Sequence, residues 1–385
     1  MPPMQLLAPR PILGFIAALG LAGSAFAIAD RPDQVLALQR GAPTPFSGEL
    51  LSADLGEVVL DIKGKERKFS GDQVLRVTLG TVPEAWTEAS KLSGAGDHSN
   101  AAALYGQVAG DAELRDVVRA YARLEEAKEL LLAGAADPSA FGLATDSAER
   151  LLADFPDHRE VPAARLLAGR AQLLFGEPAR AAELLTAIID ETTAGDWPVG
   201  YPRVAVFEGG LLGARALLDS GDASTAGELF AKLEREIGQQ VASLPEGSEN
   251  EAAALELLAE QASLGEGWKL LGQEKHTPAR SFFQSQLDSA DAGNAALRGA
   301  ARLGLAEALE ASGELRQAQI QFAQVIASAS AQPEVVARAM IGRARTTLGL
   351  DDPGASELAR NLAEAVVAHF GTTSALDGAR RILSN

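Results

Sequence analysis

From Pro83 onward apolar residues recur at intervals of three and four, in segments rich in Ala, Leu, Glu and Arg that Gly or Pro interrupts every 12 to 20 residues. That period predicts amphipathic helices through 84–385. The segments share a phrase: a glycine, an alanine five residues later, and a large apolar residue four after that. It reads Gly96, Ala101, Tyr105; Gly176, Ala181, Leu185; Gly221, Ala226, Phe230; and Gly313, Ala318, Phe322. A recurrence on this scale predicts stacked helix pairs, because one pair cannot bury its apolar face alone. Taking Gly96, Gly134, Gly176, Gly221, Gly272, Gly313 and Gly349 as the left-handed ends of first helices gives spacings of 38, 42, 45, 51, 41 and 36 residues. Seven pairs follow.

The segment 30–82 has a different period. Val35 and Ala37, Glu49–Leu51, Glu57–Ile62, Lys65–Phe69 and Val74–Leu79 form short runs with partial alternation, separated by Gly41, Gly48, Gly56, Gly64 and Gly71 at turn-like spacing. Five short strands are predicted. So small a β module has little core of its own and is expected to dock on the first helices. The fold class is therefore mainly α: an α-solenoid of about seven helix pairs over 84–385, preceded by a small all-β module at 30–82.

Residues 1–27 stand apart from both. Arg10 precedes an apolar run from Pro11 to Ala27 that ends in Ala25, Phe26, Ala27, the small-x-small pattern at which secretory signals are cut. The expectation is a cleaved signal peptide and a periplasmic or secreted chain with no stable membrane insertion afterwards. Cysteine is absent, which excludes disulfides, thiolate metal sites and a lipid-bearing cysteine anchor.

Charge narrows the partners. Without Arg10 the chain carries 33 basic against 52 acidic side chains, net -19, while Asp30 to Val82 holds 8 acids and 7 bases, so the excess lies in the helices. Such a surface repels phosphate backbones and anionic lipid, so no nucleic-acid partner is expected. Lys63, Lys65, Arg67 and Lys68 cluster on the middle β hairpin and read as edge lysines that discourage strand pairing. Trp197 and Tyr201 share a Gly/Pro-rich loop and are expected to pack back beneath it.

Candidate chemistry is sparse. No two of His98, His158, His276 and His369 lie closer than 60 residues, and no H-x3-H, H-E-x2-H, G-x-S-x-G or P-loop pattern occurs. The glycines of Ser93-Gly94-Ala95-Gly96 fit a helix-pair turn. Glu125, Glu126, Glu129, Glu234 and Glu236 are interleaved with Lys and Arg and read as solvated helix faces. No enzyme activity, cofactor or metal is expected.

Residues inside the repeats resemble a known family. Leu264, Gly265, Trp268 and Gly272; Leu305, Ala306 and Leu309 before Gly313, Ala318 and Phe322; and Ile341, Gly342 and Gly349 are similar to the tetratricopeptide pattern of L-G-x2-Y, a turn glycine and A-x3-F. Phe155-Pro156-Asp157 and Phe370-Gly371-Thr372 resemble the inter-repeat linkers of periplasmic members. The segment Val35–Leu79 resembles small SH3-like or Sm-like barrels of envelope proteins. The resemblance implies a non-enzymatic scaffold of the bacterial envelope whose first helices line a groove for a protein or peptide. Residues flanking the small helix-crossing positions would face inward: Leu166, Arg170, Leu211, Arg215, Glu266, Leu303, Glu307 and Arg343. The alternative is an architecture protein in which the β module binds and the solenoid is a spacer. Neither reading assigns the oligomeric state.

Overall fold

The computed structural model describes residues 31–245, 247–329 and 332–384. The proposed signal segment 1–27 lies outside the described residues. Five β-strands come first: β1 (Asp33–Gln39), β2 (Ala42–Ala53), β3 (Glu57–Asp61), β4 (Glu66–Ser70) and β5 (Val74–Thr78). Sixteen α-helices, α1 to α16, follow among the described residues, where the repeat pattern predicts about seven pairs. The described residues fall into two compact units, 31–279 and 280–384, divided within α11 (His276–Ser289). Among the described residues no helix is long and apolar enough to cross a membrane.

The strands form one antiparallel sheet in the order β4-β3-β2-β1-β5. Arg40-Gly41 and Lys63-Gly64 make the β1–β2 and β3–β4 turns with positive φ at both positions, the two-residue geometry whose twist matches that of paired strands. β2 is longer than the sequence pattern predicts, because Pro43 and Pro45 mask its first half. There it pairs only with β1, so each proline nitrogen can face the unpaired side. Gly48, expected at a turn, sits inside β2: a Cβ there would collide with the carbonyl of Asp61 as the strand passes from β1 to β3.

The sheet shares its core with helices. Val35, Ala37, Leu50, Val58, Leu60, Phe69 and Val74 pack in one cluster with Val108, Val117, Val118 and Ala122 from α2 (His98–Gly110) and α3 (Asp116–Ala133). Buried Asp33 joins the two parts. Its carboxylate accepts from Leu50 N (2.9 Å), Gly80 N (2.8 Å) and the Arg115 guanidinium (2.8 Å) at the start of α3. Burial pushes this carboxyl up, but Arg115 and the two backbone donors outweigh it and hold the group below the usual aspartate range. A further tie runs from the end of β2 to the turn after α4 (Ser139–Asp154): Leu55 N donates to Asp157 O (2.7 Å) and Arg159 N to Ala53 O (2.9 Å).

In the first unit the helices run α1 (Glu84–Gly94), α2, α3, α4, α5 (Val161–Phe175), α6 (Pro178–Thr193), α7 (Arg203–Asp219), α8 (Ala223–Ser243), α9 (Glu249–Ser263) and α10 (Gly265–Gly272). The second unit continues with α12 (Ala295–Ala311), α13 (Leu315–Ser328), α14 (Pro333–Leu350), α15 (Ala355–His369) and α16 (Leu376–Ser384). Consecutive helices within each of these two runs pack on each other from α1 to α9 and from α12 to α16. The turns repeat one device. Gly96, Gly176, Gly221 and Gly313 are left-handed, and the next N–H reaches back to Leu92, Gln172, Leu217 and Leu309 carbonyls at 2.9 Å. This closes the helix end, and in two cases the same residue caps the next helix: Asp97 accepts from Asn100 N and Asp222 from Thr225 N.

Three turn assignments need correction. Gly272 ends α10, but Glu274 takes the left-handed position, which puts Ala279 and Phe283 at the expected spacing. Gly349 lies within α14, and Asp351 and Gly354 turn the chain, followed by buried Ala359 and Ala363. Gly134 is right-handed, and a Cβ on it would overlap the Phe141 ring. These three glycines meet neighbours across a close contact, so a local turn rule misreads them.

The alanines and rings of the repeated phrase do the joining. Ala101, Ala181, Ala226, Ala279 and Ala318 are fully buried. A Cβ on Gly265, Gly304 or Gly342 would overlap the side chain of Phe230, Phe283 or Phe322, so each ring from a second helix fills a notch on a later first helix.

Two outcomes are expected. Asp33→Asn should lower stability at pH 7 by about 2 kcal/mol or more, since it leaves Arg115 and two donors without their buried anion. The folded pKa is depressed, so this stabilisation is present above about pH 4 and lost as pH falls through the folded value. The gap between wild type and variant in urea melts should therefore close below pH 4. For the seams, Gly342→Ala should destabilise although alanine gains about 1 kcal/mol of helix propensity, because a buried ring cannot retreat and overpacking costs about 1 to 3 kcal/mol. Ala318→Leu should cost a similar 1 to 3 kcal/mol. Gly94→Ala, with open space around it, and Ala311→Leu, at an exposed site, should leave the melting temperature nearly unchanged.

Candidate functional site

First helices of successive pairs touch directly: α3 on α5, α5 on α7, α7 on α9, and in the second unit α12 on α14. They form rows, and the residues expected to line a groove lie on them, except Glu266, which lies on α10.

In the first unit Leu166, Arg170, Leu211 and Arg215 are each half-buried. Leu166 of α5 occupies the space that a side chain on Gly209 of α7 would need. Arg170 acts on Glu208, a residue on α7 that the sequence pattern did not single out. Glu208 is open to solvent, yet the protein around it raises its carboxyl, with Arg170 opposing that rise. Arg215 pairs with Asp219 at 3.4 Å and lies over the Trp268 ring at 5.2 Å, bridging α7 and α10. Glu266 is exposed and paired with Lys269 at 3.1 Å.

In the second unit the assignments fare differently. Leu303 is 1% exposed and cannot line a groove. It precedes Gly304, whose notch Phe283 fills. Glu307 is held by Arg338 of α14 at 2.5 Å, an ion pair across neighbouring pairs of helices. Arg343 is half-buried, its Nε without a hydrogen-bond partner among the described residues. Further pairs join α12 to α14 and the turns: Arg345 binds Glu310 with two bonds (2.8 and 2.7 Å), and Arg316 binds Asp352 (2.7 and 3.1 Å).

The basic hairpin is partly engaged. Lys68 pairs with Glu57 at 2.8 Å, and the Arg67 guanidinium lies 4.0 Å from the centre of the Phe46 ring, leaving Lys63 and Lys65 exposed. The loop aromatics pack back as expected. Trp197 Nε1 donates to Tyr201 O (2.8 Å), its ring meets Phe207 at 5.3 Å, and the Tyr201 hydroxyl donates to Glu191 (2.9 Å).

Two carboxylates read as solvated are not. Glu129 is 5% exposed and takes hydrogen bonds from Ser93 and His98, each at 2.7 Å. Glu126 is held by Arg123 (2.6 Å) and Ser147 (2.9 Å), beside Gly106. Both tie α3 to a neighbouring helix. Helical spacing places them on a polar face, and only the docking of α1, α2 and α4 turns that face inward. Glu125 pairs with Lys128 at 2.8 Å, both half-buried. Among the described residues no group of three His, Asp or Glu side chains could hold a metal ion.

No family model matches the chain, and no curated protein matches it significantly in sequence.

Glu129→Ala should cost about 2 kcal/mol, since it removes a buried charged acceptor shared by Ser93 and His98. Glu125→Ala should cost less, about 0.5 kcal/mol, because its i,i+3 partner Lys128 lies on the same helix and both side chains still reach solvent. Equal losses in paired urea melts would contradict the burial that separates them.

Proposed function

We propose that this protein is a non-enzymatic interaction scaffold of the bacterial cell envelope that holds a protein or peptide segment along the inner row of its first helices. The observation that carries this reading is the face of α5 and α7, where half-buried Leu166 and Leu211 flank Arg170 and Glu208. Alternating apolar and oppositely charged groups recognise a polypeptide through side-chain packing and charge complementarity. The resemblance to tetratricopeptide arrays supports the same use of first helices. The apolar run after Arg10, ending in Ala25-Phe26-Ala27, supports an envelope or secreted location. A net charge of -19 without Arg10 favours neutral or basic partners over nucleic acid.

A second reading places recognition on the β module. Its support is exposed Lys63 and Lys65 beside β4, an edge strand of the sheet. Their ammonium groups can meet an anionic segment of a partner.

The two readings separate by mutation. The charge swap Arg170→Glu with Glu208→Arg keeps the pair but reverses the face, so capture of envelope partners should fall about tenfold while helical circular dichroism is retained. Capture unaffected by the swap but abolished when Lys63, Lys65 and Lys68 are changed to Gln would assign recognition to the β module.

A further inference from the structure

The face of the sheet turned away from its core carries a strip of apolar side chains. Residues of β1 alternate between the two faces: Asp33, Val35 and Ala37 are buried, while Gln34, Leu36 and Leu38 take the opposite side. The register sets Pro45 and Arg76 across from Leu36, and Pro43 across from Leu38. Directly opposed residues share a face, so these side chains are neighbours. Among the described residues, Leu36, Leu38, Pro43 and Pro45 stand outside the cluster that joins the sheet to α2 and α3.

A β-bulge enlarges the strip. Between Leu36 and Ala37 the partner on β5 moves from Arg76 to Val74, which leaves Leu75 as an extra residue. Val74 and Val77 thereby both pack on the core, and Leu75 and Arg76 are both exposed. Strict alternation would turn one of the two valines outward. Leu75 is 48% exposed and Leu38 37%. Scattered exposed leucines are ordinary, but Leu36, Leu38, Pro43, Pro45 and Leu75 gathered on one face mark a surface that meets another molecule.

Charge identifies the chemistry of that molecule. Arg76 stands beside Leu36, and Arg40 ends the strip at the β1–β2 turn. Both are exposed, and neither side chain has a hydrogen bond or ion pair among the described residues. The remaining positions paired on this face, Gln34, Ser47 and Thr78, are neutral, so no carboxylate among them answers the two guanidiniums. Arg40 follows Leu36 by four residues, about 14 Å along an extended strand. Carboxylates four residues apart on an extended chain span the same distance, with an apolar side chain midway on the same side. The segment 30–82 holds 8 acids and 7 bases, so an acidic segment meets no large excess of negative charge in the module. A broad anionic bilayer would also face the acidic helices, which repel it.

We propose that this face of β1, β2 and β5 is a docking surface for an extended acidic segment of a partner protein, with carboxylates on Arg40 and Arg76 and an apolar side chain against Leu36 and Leu38, beside Leu75. The surface is separate from the inner row of first helices and from Lys63 and Lys65 at the β3–β4 turn.

The test titrates the full chain, labelled at leucine methyl groups, with acetylated and amidated Glu-Ser-Leu-Ser-Glu. The Leu38 and Leu75 methyl signals are read by NMR, each assigned by its loss in Leu38→Ala or Leu75→Ala. The peptide should shift both signals saturably, and Lys-Ser-Leu-Ser-Lys should not. Glu-Ser-Ser-Ser-Glu, which lacks the apolar side chain, should bind about tenfold more weakly. Arg40→Gln with Arg76→Gln should weaken the leucine peptide about tenfold or more, with the melting temperature unchanged because both sites are exposed. Lys63→Gln with Lys65→Gln removes the same charge elsewhere on the module and should have little effect. Absence of a saturable shift, equal binding by the Arg40/Arg76 variant, or equal weakening by the Lys63/Lys65 variant overturns the proposal. A shift of the two signals by phosphatidylethanolamine–phosphatidylglycerol vesicles, with none by the peptide, assigns the face to lipid and overturns it too. The Arg170/Glu208 swap should leave this titration unchanged, so failure of this surface and failure of the groove are distinguishable.

Discussion

A ring from one helix pair seated in a glycine notch on a later first helix is the contact on which the helical part depends. Phe230 against Gly265, Phe283 against Gly304 and Phe322 against Gly342 leave no room for even a methyl group. Each seam therefore combines the burial of a large apolar side chain with a backbone approach that only glycine permits. Fully buried alanines beside the rings let the paired helices close to the same distance. The chain is poor in aromatics, at 5%, and it commits several of them to these seams.

The β module is held by a different logic. Its apolar side chains merge with those of α2 and α3, so the sheet has no separate core to stabilise it. Orientation then rests on polar contacts that act at defined points: Asp33 with Arg115, and Leu55 and Ala53 with the turn after α4. A Cβ on either Gly71 or Gly200 would collide with the carbonyl of Leu55, so the loop after α6 also closes on the module. The segments that interrupt the helical rhythm, at Phe155–Asp157 and in the loop containing Trp197 and Tyr201, are the ones that receive it. An irregular connection can offer backbone groups sideways, whereas a regular helix has already used its own.

These constraints shape the surface. Ion pairs such as Glu307 with Arg338 and Glu310 with Arg345 spend charge on the seams of the second unit. In the first unit Arg170 on α5 and Glu208 on α7 act on each other.

What the sequence determined by itself was local and periodic. The apolar period, the Gly-x4-Ala-x3-apolar phrase and the two-residue β turns at Gly41 and Gly64 specify element type, order and most helix ends, because hydrogen bonding and backbone sterics act over a few residues. Tertiary structure decided what depends on neighbours distant in the chain. Gly272, Gly349 and Gly134 match the turn pattern but serve close packing or helix interior, and Glu274 and Asp351 take the left-handed backbone instead. Leu303 shares the helical spacing of groove residues, yet the elements packed around it leave it 1% exposed. Glu126 and Glu129 lie on a polar face that neighbouring helices cover, and the carboxyl of Glu208 is raised by the protein packed around it, against Arg170. A helix period says which residues share a face; which neighbour that face meets is set by side-chain volumes on other elements, and no local pattern carries that information.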